Sequence, residues 1–203
     1  MLTLYHSPQS RSIRPRWLLE ELGVPYEVKL VSLQAGDQKK PEYLKLNPNG
    51  TVPTLVDGDF VLFESAAICQ YLADKYPDKK LAPPVGTPER GKYYQWIHYA
   101  MSGLEPPAVT IFFHTIQLPE AERVPQLVEK ARPQLDAAIK VVDDALAGRE
   151  WILGSQFTAA DVMVGSTLGW ARAFGMMDDA RPNIAAYVTK LTARPAFQRA
   201  SAD

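Results

Sequence analysis

The spacing of apolar and polar residues changes near residue 77. Before that point, short apolar runs that suit strands alternate with amphipathic stretches that suit helices. One helix is predicted to end at Leu22, ahead of Gly23, and another to run from Ser65 to Tyr76. This alternation is typical of an α/β unit. The predicted strands are Leu2–Tyr5, Tyr26–Leu30, Thr54–Val56 and Phe60–Phe63.

Beyond this point the strand signals stop. Pro77, Pro83, Pro84 and Pro88 fall in a stretch without periodic apolar positions, which indicates a linker. Helical periodicity then returns, and Gly148 and Gly175 stand where helices would stop. We therefore predict an α/β domain at 1–77, a linker at 78–88 and an all-helical domain at 89–203. The helices predicted in the last domain cover about 89–104, 120–147, 158–174 and 183–192.

The strongest local signals lie between residues 46 and 68. Asp57-Gly58 separates two strand-like runs and predicts a tight hairpin turn with positive φ. Pro53 opens the first strand, where its missing amide costs little if the main chain of Val52 faces a ligand. A cis peptide bond between these two residues fits such a turn.

Glu64 and Ser65 stand between the second hairpin strand and a helical pattern. Both therefore lie at a helix N-terminus, where free amides and the helix dipole favour an anion. We expect a seat for a carboxylate at this position.

The loop between the first strand and the first helix is a second candidate site, because α/β proteins present ligands there. Pro15 fits the first helical turn if Ser12 is the N-cap, which leaves the hydroxyl of Ser10 free in the loop. The competing interpretation is that both serines only cap the helix.

The sequence resembles the soluble glutathione S-transferases, and in particular their serine-type bacterial members, with the class left open. The segment Asn47–Pro53, the hairpin after it and Phe63-Glu64-Ser65 resemble the glutathione-binding half of that family. The likeness extends to Leu2–Tyr5, to Thr158–Asp161 and to Arg194–Phe197. It implies a thioredoxin-like α/β N-terminal domain followed by an all-α helical C-terminal domain.

The resemblance also implies residue roles. Ser10, with Arg14 after it, best fits the spacing of the serine that donates a hydrogen bond to the glutathione thiolate, and Ser12 is the runner-up. Gln38 and Lys39 fall where relatives hold the glycine carboxylate, although a charged loop is as often plain surface. The other implied glutathione contacts are Val52 and Pro53 for the cysteinyl part, and Glu64 and Ser65 for the γ-glutamyl part.

Aromatic residues are numerous enough to line an apolar pocket for a second substrate between the domains. The alternative is that most of them form the core or dimer contacts. The candidates for this pocket are Tyr99, Phe112, Phe113 and Trp170.

Composition narrows the function further. A formal net charge of −1 without long runs of one sign argues against nucleic-acid and membrane partners. The single cysteine, Cys69, excludes an internal disulfide, suits the cytoplasm and is expected in the core. The three histidines lack metal-ligand spacing, so no metal is expected.

The leading hypothesis is a cytoplasmic glutathione transferase of the detoxification type that adds glutathione to an apolar electrophile. Glutathione is then a co-substrate, no cofactor is permanently bound, and the resemblance implies a homodimer. One alternative is a glutathione-dependent isomerase, dehalogenase or lyase. Another is a non-catalytic binding protein on the same fold. A thiol-disulfide oxidoreductase is disfavoured, because no cysteine precedes the first helix.

Overall fold

A computed structural model of the chain describes residues 1–177 and 180–202. Its contacts divide the chain into two compact units. The first unit contains residues 1–82 and the described part of the segment that starts at Thr192. The second unit contains residues 83–191.

The first unit is built on a four-stranded mixed sheet. Its strands are β1 (Leu2–His6), β2 (Tyr26–Leu30), β3 (Thr54–Asp57) and β4 (Phe60–Phe63). Their order in the sheet is β2-β1-β3-β4. Strands β1 and β2 are parallel, whereas β3 is antiparallel to both β1 and β4. This is the thioredoxin-like arrangement that the family resemblance implies.

Helices complete both units, and no helix in the described ranges is long and apolar enough to cross a membrane. The first unit holds α1 (Ile13–Leu22), α2 (Pro41–Leu44), α3 (Ser65–Lys75) and α9 (Pro195–Ala200). The others are α4 (Pro88–Tyr99), α5 (Glu105–Phe112), α6 (Pro125–Leu146), α7 (Ala159–Ala173) and α8 (Pro182–Thr192). Short 3₁₀ turns lie at Asp37–Lys39, Pro77–Lys79 and Glu120–Glu122, and π-helical turns lie at Ala100–Leu104 and Phe113–Gln117.

The turn signals in the first unit are confirmed, with one correction. Helix α1 ends before Gly23, which has a φ of 63° and accepts this left-handed conformation without a side-chain clash. In the hairpin, Asp57 pairs with Phe60 as the last residue of β3, so the two-residue loop is Gly58-Asp59. Only Gly58, with a φ of 61°, has the positive φ expected of the pair Asp57-Gly58.

Two predicted helix bounds in the second unit are wrong. The helix expected to stop at 104 continues into α5 through the π-helical turn Ala100–Leu104. This wider turn changes the hydrogen-bond register just before Pro106 and Pro107, whose nitrogens cannot donate. The helix expected from 120 begins only at Pro125, because proline suits the first helical position.

The C-terminal segment belongs to the first unit and packs on α1. Phe197 of α9 meets the fully buried Trp17 of α1 edge to face, with ring centroids 4.9 Å apart. Arg194 forms a bidentate ion pair with Glu21, in which two guanidinium nitrogens lie 2.6 and 2.7 Å from the two carboxylate oxygens. The contact grouping therefore differs from a single division at 89–203, because α9 completes the surroundings of α1.

A buried carboxylate joins three segments of the second unit. Asp161 Oδ2 accepts from the amide of Thr158 at 2.8 Å, which completes the capping box of α7. Its Oδ1 accepts from the amide of Ile152 at 2.8 Å and from the hydroxyl of Tyr187 at 2.9 Å. Asp161 therefore does more than cap a helix, because it also fixes the 152 loop and α8.

Replacing Asp161 with alanine should lower the free energy of unfolding by about 3 kcal/mol or more, since several buried donors lose their acceptor. Urea denaturation measures this change. The control is Asp144→Ala, which removes an exposed i,i+4 ion pair with Lys140 and should cost about 0.5 kcal/mol or less. Equal losses in both variants would contradict the role assigned to Asp161.

Candidate functional site

The strand register brings the predicted site segments to one edge of the sheet. Thr54 at the start of β3 lies opposite Tyr5 on one side and Phe63 on the other. His6, at the end of β1, lies opposite Leu30 at the end of β2. The loop after His6, the loop after Leu30, the residues before Thr54 and the residues after Phe63 therefore leave the sheet at the same edge.

The loop after β1 is held by a network around Ser12. The hydroxyl of Ser12 accepts from the amide of Ser7 at 3.0 Å and lies 2.7 Å from Nδ1 of His6. It also lies 2.7 Å from the hydroxyl of Ser10, which in turn donates to the carbonyl of Ser7 at 2.7 Å. The loop is thus closed by side-chain hydroxyls.

The two candidate serines differ in access. Ser12 stands at the N-cap position of α1, but its side chain makes no capping hydrogen bond. It is 0% exposed and committed to the loop network. Ser10 is only partly buried. Of the two hydroxyls, that of Ser10 is therefore the one a ligand can reach.

The environment of His6 keeps its imidazole neutral. The ring is buried, and its Nε2 lies 3.1 Å from a guanidinium nitrogen of Arg16. Burial, and then the positive charge of Arg16, lower the pKa of His6 from 6.5 to about 4. His6 is therefore uncharged near neutral pH.

The residues before β3 form a turn built around Asn47. This buried side chain donates to the carbonyl of Thr51 at 2.8 Å and accepts from the amide of Asn49 at 3.1 Å. The peptide bond between Val52 and Pro53 is cis, as the sequence suggests. Among the described residues, no hydrogen bond involves the main chain of Val52, so its amide and carbonyl keep their capacity to pair with another group.

Glu64 and Ser65, at the start of α3, differ in exposure and in hydrogen bonding. Glu64 is exposed and has a φ of 76°, a conformation that costs a non-glycine residue about 1–3 kcal/mol. Its carboxylate makes no capping hydrogen bond. Ser65 is buried, and its hydroxyl accepts from Arg14 at 3.2 Å, which ties the start of α3 to α1.

Backbone strain is concentrated at this edge. Among the described residues, three non-glycine residues have a positive φ: Gln9, Glu64 and Lys80. Two of them, Gln9 and Glu64, flank the candidate site. Strain of this kind persists at ligand sites, where the surrounding structure holds a side chain or amide in place.

Gln38 and Lys39 lie against the turn that precedes β3. A Cβ atom at Gly50 would stand 2.8 Å from the Lys39 ammonium and 2.9 Å from the Gln38 carbonyl, and Gly50 has a φ of 59°. Glycine is therefore required for this close approach. The amide nitrogen of Gln38 donates to the carbonyl of Leu33, whereas Lys39 is exposed and its ammonium has, among the described residues, one long contact, to the carbonyl of Asn49 at 3.4 Å.

Comparison with known proteins identifies the family of this chain. The family model described as "Glutathione S-transferase, N-terminal domain" matches residues 1–74, and the one described as "Glutathione S-transferase, C-terminal domain" matches residues 125–190. The chain is 34% identical to glutathione S-transferase 3 of Zea mays, over 98% of this chain and 92% of that protein. The chain belongs to the glutathione S-transferase family.

Solved structures of other glutathione transferases have the same fold. A glutathione transferase of Phanerochaete chrysosporium in complex with oxidised glutathione is 31% identical with a TM-score of 0.88, covering 98% of this chain and 94% of that one. The theta-class enzyme of Xanthomonas axonopodis with glutathione bound is 32% identical with a TM-score of 0.85, covering 100% of this chain and 97% of that one. The chain is accordingly a glutathione S-transferase with the thioredoxin-like and helical domains of its family.

The second unit of this transferase contains an aromatic cluster. Phe112 lies 5.1 Å from Trp170 and 6.1 Å from Phe113, as measured between ring centroids, and Phe174 joins them at 4.9 Å from Phe112. Phe113 and Phe174 are 43% and 40% exposed. Tyr99 instead packs edge to face on Trp96 and donates to the carbonyl of Ala138 at 3.3 Å.

Other candidate chemistry is absent from the described residues. No group of three or more histidine, cysteine, aspartate or glutamate side chains among residues 1–177 and 180–202 is arranged to hold a metal ion. Cys69 lies in the core, as expected, and burial raises the pKa of its thiol to about 12. It is therefore not a nucleophile at neutral pH.

Sequence reasoning missed two residues that organise the site, His6 and Asn47. The signal for Asn47 was present, because asparagine before a Pro-Asn-Gly turn commonly bonds the main chain two residues on. His6 had no such signal, since its partners Ser12 and Arg16 are brought to it by the strand-to-helix turn.

The contribution of His6 to the stability of this transferase should fall as the pH is lowered from 6.5 to 4. The pKa of His6 is lower in the folded than in the unfolded chain, so the unfolded chain binds more protons in that window. The loss attributable to His6 should reach about 3 kcal/mol. Urea denaturation at pH 6.5 and at pH 4 measures the free energy of unfolding. Between these pH values His6→Asn should lose less of it than the wild type does. The control His98→Asn, whose side chain is exposed, should lose as much as the wild type. Equal losses of unfolding free energy in all three proteins would contradict this role of His6.

Proposed function

We propose that this transferase binds glutathione at the sheet edge defined above and activates its thiol as a thiolate for attack on an apolar electrophile. The supporting observation is the convergence at that edge of Ser10, the open main chain of Val52 and the helix start at Glu64-Ser65. Relatives with oxidised glutathione or glutathione bound add to the case.

In this proposal the tripeptide lies extended across the edge. Val52, next to the cis bond to Pro53, pairs with the cysteinyl part through its amide and carbonyl, in the manner of an added β-strand. The carboxylate of Glu64 accepts from the γ-glutamyl ammonium. The amide of Ser65 at the start of α3 faces the γ-glutamyl carboxylate, which the helix dipole also favours.

The glycine carboxylate lies on the side of residues 38 and 39. Lys39 is the better partner, because its ammonium is exposed and only weakly engaged. The side-chain amide of Gln38 already donates to the carbonyl of Leu33, so Gln38 contributes less to binding this carboxylate.

Ser10 stabilises the thiolate by donating its hydroxyl hydrogen to the sulfur. A free thiol has a pKa of about 8.5 and is mostly protonated at neutral pH. Lowering it by about two units requires roughly 2.7 kcal/mol of preference for the thiolate. One hydrogen bond to a charged acceptor and the N-terminus of α1 together supply stabilisation of this size.

The reaction then needs no metal ion and no covalent enzyme intermediate. The thiol proton passes to solvent, and the sulfur lone pair forms the bond to the electrophilic carbon. A leaving group departs with its bonding pair, or an epoxide oxygen takes that pair and is protonated. Ser10 remains a hydrogen-bond donor throughout and is not a general base.

The aromatic cluster of Phe112, Phe113 and Trp170 supports an apolar second substrate, because exposed rings favour apolar ligands. Tyr99 is a weaker candidate for this pocket, since its ring packs on Trp96. A symmetric homodimer and a cytoplasmic location, which the lone buried Cys69 suits, are further parts of the proposal.

Changing Glu64 to glutamine should weaken glutathione binding about tenfold or more, because a charge-assisted contact to the ammonium contributes about 1.5–3 kcal/mol. Isothermal titration calorimetry measures the affinity. The melting temperature should change little, since the side chain makes no capping bond. The matched control, Glu27→Gln on the exposed part of β2, should bind normally. Normal affinity of the Glu64 variant would reject this site assignment.

Changing Ser10 to alanine should cut turnover far more than it weakens glutathione binding, because the lost bond is stronger to thiolate than to thiol. The midpoint of thiolate ultraviolet absorbance in the bound complex should rise by about one unit or more, equivalent to roughly 1.4 kcal/mol. Ser12→Ala should instead mainly reduce stability, since it deprives the buried donors on Ser7 and His6 of their acceptor. An unmoved midpoint in the Ser10 variant would refute its role.

A further inference from the structure

A chain of three hydroxyl and imidazole contacts lies beneath the candidate site. It runs from Nδ1 of His6 to the hydroxyl of Ser12, then to the hydroxyl of Ser10 and on to the carbonyl of Ser7, with 2.7 Å at each step. His6 and Ser12 are buried, whereas Ser10 is partly exposed at the ligand end. Contacts this short fix where each hydrogen can point.

The direction of the first contact follows from Arg16. A guanidinium group can only donate, so Nε2 of His6, 3.1 Å from Arg16, must be the unprotonated nitrogen of the neutral ring. The proton then lies on Nδ1, which donates to the hydroxyl oxygen of Ser12. Arg16 thus selects the tautomer of His6.

The direction of the second contact follows in turn. A serine hydroxyl has two acceptor positions and one hydrogen. The two acceptor positions of Ser12 are filled by Nδ1–H of His6 and by the amide of Ser7. Ser12 can therefore not accept from Ser10, and its own hydrogen points to Ser10 at 2.7 Å or to the carbonyl of Ser7 at 3.1 Å.

We infer that His6 is a positioning residue for thiol activation: by filling an acceptor position of Ser12, it prevents Ser12 from capturing the hydroxyl hydrogen of Ser10. That hydrogen is left with two directions, the carbonyl of Ser7 or the sulfur of a bound thiolate. The inference rests on the proposed function, in which Ser10 is the donor to that sulfur.

Ser12 also allows the change between these two directions. When the Ser10 hydrogen turns to a sulfur, the carbonyl of Ser7 loses a donor. The Ser12 hydroxyl lies 3.1 Å from the same carbonyl and can take over. The exchange therefore leaves no buried acceptor unpaired, which would otherwise oppose it.

The test compares two His6 variants of similar size. In His6→Asn, the side-chain amide can replace the Nδ1–H donor, whereas His6→Leu has no donor. Titration of thiolate absorbance in the glutathione complex should give a midpoint near the wild-type value for His6→Asn. For His6→Leu it should rise by about half a unit or more, which is about a threefold loss of thiolate at a given pH. The dissociation constant for glutathione, measured well below the titration midpoint, where the bound thiol is protonated, should be unchanged in both.

The same comparison in a Ser10→Ala background separates positioning from a general structural effect. In the Ser10→Ala background, His6→Leu should cause no further rise in the titration midpoint, because the Ser10 hydroxyl hydrogen is no longer present. An equal rise in both backgrounds, or equal midpoints for the two His6 variants beside Ser10, would overturn the inference. If instead wild type and Ser10→Ala have the same midpoint, it is the proposed role of Ser10 that fails.

A second measurement does not depend on how well the variants fold. Nitrogen chemical shifts of the His6 imidazole, recorded by NMR in the unmodified protein near neutral pH, identify the protonated nitrogen. A neutral ring with its proton on Nδ1 is expected. A proton on Nε2 would make Nδ1 an acceptor, reverse the chain of hydrogen bonds and overturn the inference.

Discussion

The antiparallel register around β3 determines where the candidate site can form. Thr54 is paired with Tyr5 and Phe63 at once, so three segments from distant parts of the sequence leave the sheet together. A slip by one residue would turn each side chain of β3 to the opposite face. The fully buried Leu55 would then face outward, which opposes such a slip. The same core packing that stabilises the sheet thereby sets the spacing of the main chain at the candidate site.

Burial of polar groups beneath this edge is the second constraint. His6, Ser12, Arg14, Asn47 and Ser65 are all buried, and each has hydrogen-bond partners within the first unit. Such groups are costly when unpaired and rigid when fully paired. The edge is thus a preorganised surface, on which the strained Glu64 and the reachable Ser10 are the parts turned toward solvent. Preorganisation of this kind reduces the free-energy cost of ordering the site when a ligand binds.

The features predictable from the sequence are those with local causes. Gly23 as a helix stop and the hairpin strands depend on residues a few positions apart, and both are confirmed. The role of Ser12 was not predictable in this way. Local reasoning treats a serine before a helix as a cap, whereas its hydroxyl is taken by His6 and the loop, contacts created only by the strand-to-helix turn. The residue roles toward glutathione came from family resemblance, and they stay predictions.

The return of α9 to the first unit has a consequence for how the chain folds during synthesis. Arg194 meets Glu21 across a separation of 173 residues, and Phe197 covers Trp17. On a ribosome, the sheet and α1 emerge before the second unit, but one side of α1 stays uncovered until α9 has also been made. Contacts of such long sequence separation form late and leave apolar surface exposed in the meantime. The sheet of the first unit is therefore translated before the second unit, and yet its packing is completed only after residues 83–191 have been made.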